Sequence, residues 1–93
     1  MNVYVIINKS KCPESDYLHV NATAYKTFKE ARAAMLNMVD EFIQEIKNGV
    51  IRGDCMNFED LDIKRTDFWA KVKDSKTDFG DSWNIYEVEV VDE

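Results

Sequence analysis

Apolar side chains recur every three to four residues in one long segment of the chain, residues 27–48. This spacing is typical of an amphipathic helix that buries one face. Thr27 followed by Glu30 has the form of a capping box, and Gly49 can adopt the left-handed conformation that often ends a helix. We therefore predict one long helix with a buried face of Phe28, Ala31, Met35, Met38, Val39, Phe42, Ile43 and Ile46.

Four other segments have the composition or the alternation of β-strands. They are residues 2–8, 17–25, 68–73 and 83–91. The first is almost continuously apolar, whereas the other three alternate between apolar and polar side chains. The polar segment between the first and second strands and the one between the third and fourth strands have the composition of loops and turns.

The chain order of these elements, ββαββ, predicts an α+β fold in two layers. A four-stranded antiparallel sheet would carry the long helix on one face. Because the strands need an apolar surface to pack on, we expect the helix face to line this core rather than to fill a groove on a partner. The first and last strands are the most apolar, so we expect them to be neighbours in the centre of the sheet.

Residues 50–65 show no clear period. Their apolar side chains Phe58, Leu61 and Ile63 could anchor either a short helical turn or an irregular crossover. No linker or repeat divides the 93 residues, so we expect residues 1–93 to form a single domain.

The alternation along the strands also predicts which side chains face the helix. The inward set is Val3, Val5, Ile7, Leu18, Val20, Phe68, Val72, Tyr86, Val88 and Val90. The outward set would have an exposed apolar centre of Tyr4, Ile6, Trp69 and Ile85 within a charged rim. Aromatic residues inside a polar ring are typical of protein interfaces. Residues 50–65 could instead fold over this face, and exposed apolar side chains can also be scattered without function.

The net charge of −6 comes entirely from the second half of the chain, where residues 48–93 hold six Lys and Arg against twelve Asp and Glu. No basic stripe is present, which disfavours direct binding to nucleic acid. The excess of carboxylates either serves solubility or attracts a partner protein with a basic surface. The predicted partner-binding residues are Tyr4, Ile6, Glu59, Asp60, Asp62, Trp69, Ile85, Glu87 and Glu89.

No pattern in the chain indicates catalysis, a cofactor or a metal site. His19 is the only histidine, and its pairing with Cys12 or Cys55 would lack the third orienting group that nucleophilic catalysis requires. We expect the two cysteines to be free thiols rather than a disulfide. The acidic residues 59–62 lack the glycine and the terminal glutamate of a calcium-binding loop.

Residues 78–80 spell the magnesium-binding Asp-Phe-Gly of protein kinases, but a kinase domain does not fit in 93 residues, so we interpret them as a turn. The chain has no long apolar run and no charged-then-apolar leader. We therefore expect a soluble cytoplasmic protein.

Three stretches of the chain resemble the small, largely uncharacterised accessory proteins that phages and mobile elements of bacteria encode. They are VYVII near the beginning, AYKTFKEA at the start of the helix and WNIYEVEVVDE near the end. The resemblance leaves residues 50–65 unmatched and transfers no site residues. It implies a setting in which compact acidic proteins include anti-CRISPR and other anti-defence inhibitors, which occupy a binding surface of a nuclease.

These observations lead to the hypothesis of a non-enzymatic acidic protein-binding module that inhibits a host nucleic-acid-handling defence complex. Its carboxylates would compete with phosphates for a basic groove. One alternative is a regulatory domain that binds a small ligand or nucleotide between helix and sheet. Another is a homodimer with a structural role.

Overall fold

A computed structural model of the chain describes residues 1–12, 17–48, 58–76 and 79–91, with all of their side chains except those of residues 11–12 and 17–19. The described residues form five strands, one long helix and one short 3-10 helix. In chain order the elements are β1 (Asn2–Cys12), β2 (Tyr17–Tyr25), α1 (Phe28–Lys47), the 3-10 helix (Phe58–Asp60), β3 (Leu61–Arg65), β4 (Trp69–Asp74) and β5 (Gly80–Glu89).

The strands form one antiparallel sheet in the order β2-β1-β5-β4-β3. The predicted neighbours β1 and β5 do pair inside the sheet, with Ile6 opposite Ile85. The predicted four-stranded ββαββ arrangement is wrong, because β3 adds a fifth strand. The class remains α+β.

The fifth strand lies in the segment that showed no clear period. β3 is only five residues long, three of them charged, and among the described strands it pairs with β4 alone. Short, charged edge strands resist unwanted pairing with other chains, and the same composition removes the apolar signal that would reveal them. The 3-10 helix leads into this strand, and its Asp60 carbonyl accepts a hydrogen bond of 3.0 Å from the backbone N–H of Ser75.

Helix α1 begins where the capping pattern predicts. The Thr27 hydroxyl accepts a hydrogen bond of 3.1 Å from the backbone N–H of Glu30. The predicted buried face is confirmed: its fully buried members are Ala31, Met35, Val39, Phe42 and Ile46, with Phe28, Met38 and Ile43 packed around them. Gly49, the predicted C-terminal residue, lies outside the described residues.

The core lies between this helix face and the centre of the sheet. The ring of Phe42 meets the ring of Trp83 edge to face at 5.5 Å, and Trp83 is only 2% exposed. Ile6, Val72 and Ile85 pack around this pair from three neighbouring strands. These contacts decide which side of each strand is buried.

The predicted inward and outward sets are exchanged on β1 and β5, and Val20 of β2 also lies on the opposite face from the prediction. Ile6 is 1% exposed and Ile85 is 8% exposed, so both lie in the core. Tyr4 also faces the helix, and its ring lies 5.9 Å from that of Phe28. The residues predicted to be inward that lie on the opposite face are Val3, Val5, Ile7, Val20, Tyr86 and Val88.

The error has a simple physical cause. Side chains alternate strictly between the two faces of a strand, so assigning one of them to the wrong face moves all the others to the wrong face as well. In β1 both alternating sets of residues are apolar, so the alternation does not show which set is buried. On β4 the prediction is confirmed, since Val72 is buried and Trp69 is exposed. Phe68 precedes β4 and is 61% exposed rather than buried as predicted, with its ring 5.2 Å from that of Phe28. The side chain of Leu18 lies outside the described part.

Adjacent isoleucines on β1 test this assignment. Ile6→Ala should lower the free energy of unfolding by about 2–5 kcal/mol, because it leaves a cavity in the core. Ile7→Ala removes the same atoms from the other face and should cost less than half as much. Urea unfolding of both variants measures the difference. Equal losses, or a larger loss for Ile7→Ala, would contradict the orientation of β1.

The helix cap provides a second test. Thr27→Ala removes the acceptor for the Glu30 N–H and should lower the free energy of unfolding by about 0.5–2 kcal/mol. Thr27→Ser keeps a hydroxyl and should retain most of that stability. Thermal unfolding followed by circular dichroism would show whether the two variants separate as expected. If both lose stability equally, the loss does not come from the cap.

Candidate interaction surface

The sheet has one face covered by α1 and one face that none of the described elements covers. We call the second the open face. Its members follow from strand register, because directly paired residues point to the same side. The described apolar side chains of the open face are Val3, Val5 and Ile7 on β1, Val20, Ala22 and Ala24 on β2, Trp69 on β4, and Tyr86 and Val88 on β5.

Several of these side chains are well exposed for apolar residues. Val20 is 53% exposed, Tyr86 49%, Val88 42% and Trp69 38%. The three adjacent strands β2, β1 and β5 make the apolar area continuous. With strands ~4.8 Å apart and ~3.4 Å between residues, this area projects to about 300 Å². Apolar patches of a few hundred Å² on a monomer are often functional.

A row of lysines borders the apolar area. Lys9 lies opposite Ser82, Ser82 lies opposite Lys71, and Lys71 lies opposite Lys64, so all four positions fall on one line across the sheet. We call Lys9, Lys64 and Lys71 the lysine row. All three are exposed, and within the part of the chain that the structure describes none of them is in an ion pair.

The two faces of the sheet differ in charge. The carboxylates of β5 point to the same side of the strand as Trp83 and Ile85, which is the helix side. They are Asp81, Glu87 and Glu89. Among the described side chains, the open face carries Asp62 as its single carboxylate, opposite Lys73. A chain of net charge −6 thus presents a positive surface on the open face.

The two buried acids have structural roles. Asp81 accepts a hydrogen bond of 2.8 Å from the hydroxyl of Ser10, which links β5 to β1. Asp74 accepts a hydrogen bond of 2.8 Å from the backbone N–H of Lys76 and so supports the turn that follows β4. Both therefore contribute to sheet geometry on the helix side rather than to the open face.

The predicted partner-binding residues do not form one surface. Ile6 and Ile85 are buried in the core, and the expectation that they face solvent is wrong. Tyr4 is partly buried against the helix. Trp69 and Asp62 are the two members that lie on the open face.

The remaining acidic members of the predicted set lie elsewhere. Glu87 accepts hydrogen bonds from the Asn2 amide at 2.6 Å and from the Tyr4 hydroxyl at 3.4 Å, on the helix side of the sheet. Glu89 is exposed on the same side, opposite Asn2. Asp60 pairs with Lys76 at 3.4 Å, and Glu59 is exposed beside it in the 3-10 helix. These carboxylates are divided between two separate places.

One signal in the sequence could have identified the open face. Trp83 is the largest apolar residue of β5 and shares its parity with Ile85. Assigning that pair to the core would have placed Tyr86 and Val88 outside, and register would then have placed Val3 and Val5 beside them. The lysine row carried no such signal, because it joins three strands that are distant in sequence.

Other predicted features fall partly outside the described residues. The side chains of Cys12 and His19 and all of Cys55 lie outside, so the thiol prediction is untested. Among the described residues, no three His, Cys, Asp or Glu side chains come together as a metal site would require, and no helix is long and apolar enough to cross a membrane.

The predicted turn at residues 78–80 needs revision. Phe79 is buried in the core and Gly80 begins β5. A Cβ at Gly80 would collide with the carbonyl of Val72 and lie 2.7 Å from the Cα of Lys73. Glycine is therefore required here by the close approach of β4.

The lysine row creates a stability prediction. Lys64 and Lys71 are directly opposite each other, and like charges in that position destabilise a sheet. Lys71→Glu should raise the free energy of unfolding by about 0.2–1 kcal/mol, because it turns repulsion into attraction. The double variant Lys64→Glu/Lys71→Glu restores like charges and should lose the gain. Urea unfolding of the complete double-mutant cycle measures the coupling, and a cycle without coupling would refute the proximity of the two side chains.

Comparisons of the chain with known proteins found no similar protein. No protein-family model matches the chain, no curated protein matches it, and no solved structure matches it.

Proposed function

We propose that this chain is a non-enzymatic protein-binding module and that the open face is its contact surface. The observation that carries the proposal is the continuous apolar area on β2, β1 and β5, which no described element covers. Burying such an area against a partner is favourable by about 25 cal/mol per Å². The exposed Trp69 and Tyr86 provide the aromatic anchors that dominate many interfaces.

The dimensions of the face suit this role. At ~4.8 Å per strand and ~3.4 Å per residue, the five strands of the open face project to roughly 600 Å². A standard interface buries about 800 Å² on each partner, and side-chain relief makes accessible area larger than projected area. The open face is therefore large enough to form most of one specific interface.

The setting of this binding is proposed from the resemblance to phage and mobile-element proteins. In that setting the module would act in the cytoplasm as an inhibitor of a host nucleic-acid-handling defence complex, by occupying a surface on it. Glu59, Asp60, Glu87 and Glu89 do not lie on the open face, so we do not assign its binding to phosphate mimicry. Contact through the apolar area replaces that mechanism.

Site-specific photo-crosslinking tests the proposal. A benzophenone amino acid in place of Tyr86 lies on the open face, and the same group in place of Ala33 lies on the exposed side of α1. In the cells that naturally contain the protein, the Tyr86 position should yield a discrete adduct with another protein. The Ala33 position should yield less than a tenth of it. Gel mobility and mass spectrometry report both yields.

A charged substitution on the open face, compared with one on α1, provides the control for this experiment. Val88→Lys places a charge in the apolar area beside the crosslinker and should abolish the adduct, whereas Gln44→Lys on α1 should leave it unchanged. Equal adducts from Tyr86 and Ala33, or no adduct from either, would refute the open face as the contact surface.

A further inference from the structure

We infer that the partner of the open face is a protein surface with an apolar centre and a cluster of carboxylates at one side. This inference rests on the proposed function and adds the chemistry of the partner. It comes from the position and the charge of the lysine row, and it reverses the sign expected from the net charge of the chain.

The lysine row and the apolar area belong to one continuous surface. Along β1, Lys9 follows Ile7 on the same side, and along β4, Lys71 follows Trp69 on the same side. The distance from Trp69 to Lys71 along the strand is therefore about 7 Å. A partner that covers Trp69 and Ile7 necessarily places some of its own side chains over the lysines.

Within the described residues, the three lysines of the row are in no ion pair, and Asp62 is the single carboxylate on the open face. The β5 carboxylates point to the helix side, and the ion pairs of the described residues join α1 to the β3–β4 turn, α1 to β3, and the 3-10 helix to the β4–β5 turn. Lys64 and Lys71 also repel each other across the β3–β4 pair. Carboxylates on a partner would relieve this repulsion, whereas a neutral or basic partner would leave it in place or increase it.

The composition of the face favours a protein over single-stranded nucleic acid. Proteins that bind single strands stack successive bases on aromatic side chains. Of the nine described apolar side chains of the open face, seven are aliphatic and two, Trp69 and Tyr86, have rings. The net charge of −6 also repels a polyanion at long range. Valine and isoleucine contribute contact area to a protein partner but no stacking to a base.

The charge of the face also disfavours a second copy of the chain in face-to-face contact. Each copy would present the three exposed lysines of the lysine row against one described carboxylate, Asp62. Two surfaces of the same sign would then meet. The exposed carboxylates of α1 lie on the helix side of the sheet, so face-to-face contact of two open faces does not bring them to the lysines.

The crosslinked adduct at the Tyr86 position is the probe for this inference. Mass spectrometry should locate the crosslink in a partner segment that combines apolar side chains with at least two Asp or Glu. Lys64→Glu and Lys71→Glu together should lower the adduct yield about tenfold at limiting protein, because each reversal turns an attraction into a repulsion. Lys71→Glu alone should give a smaller loss although it stabilises the fold, which separates binding from folding.

The control for net charge is Lys29→Glu on α1. It makes the same change in charge as Lys71→Glu at a site away from the open face and should leave the yield unchanged. If the adduct forms but its partner segment lacks carboxylates, or the lysine variants have no effect, the inference fails and the proposed function stands. An adduct that nuclease removes, or one with twice the mass of the chain, identifies nucleic acid or a second copy and also overturns it. Absence of any adduct refutes the proposed function itself.

Discussion

The contact between Phe42 of α1 and Trp83 of β5 decides the orientation of the whole sheet. The Trp83 ring is 2% exposed and packs edge to face against Phe42, so a large aromatic area is removed from water at this point. Once Trp83 is inside, strict alternation places Ile85 inside and Tyr86 outside. Pairing between β5 and β1 then places Ile6 inside and Ile7 outside. One aromatic pair thereby determines the composition of the open face.

The same alternation separates the charges. The carboxylates of β5 lie on the same side of the sheet as Trp83, and the lysines of β1, β3 and β4 in the lysine row lie on the opposite side. Long-range pairing across the sheet then collects Lys9, Lys64 and Lys71 into one row, although they are far apart in the chain. An acidic protein can therefore carry a basic surface. Net charge is a sum over all faces, whereas a partner meets only one of them.

Several elements could be predicted from the sequence because their signals are local. The helix has a cap at Thr27, a period of 3.6 and an apolar face, and all three agree. The alternating strands and the central pairing of the two most apolar strands were predictable for the same reason. β3 was not, since its five residues carry too few apolar side chains to show a period. Its place at the sheet edge depends on hydrogen bonds to β4.

The candidate surface shows the opposite balance. Trp69 was correctly predicted to be exposed, because Val72 on the same strand gives a clear inward parity. On β1 both alternating sets of side chains are apolar, so the pattern of residues 2–8 fits a strand with either face buried. The sequence by itself determined one amphipathic helix, most of the strands and the total charge. Tertiary structure decided which face of the sheet is buried and which charges meet on the other, because both depend on contacts between residues far apart in the chain.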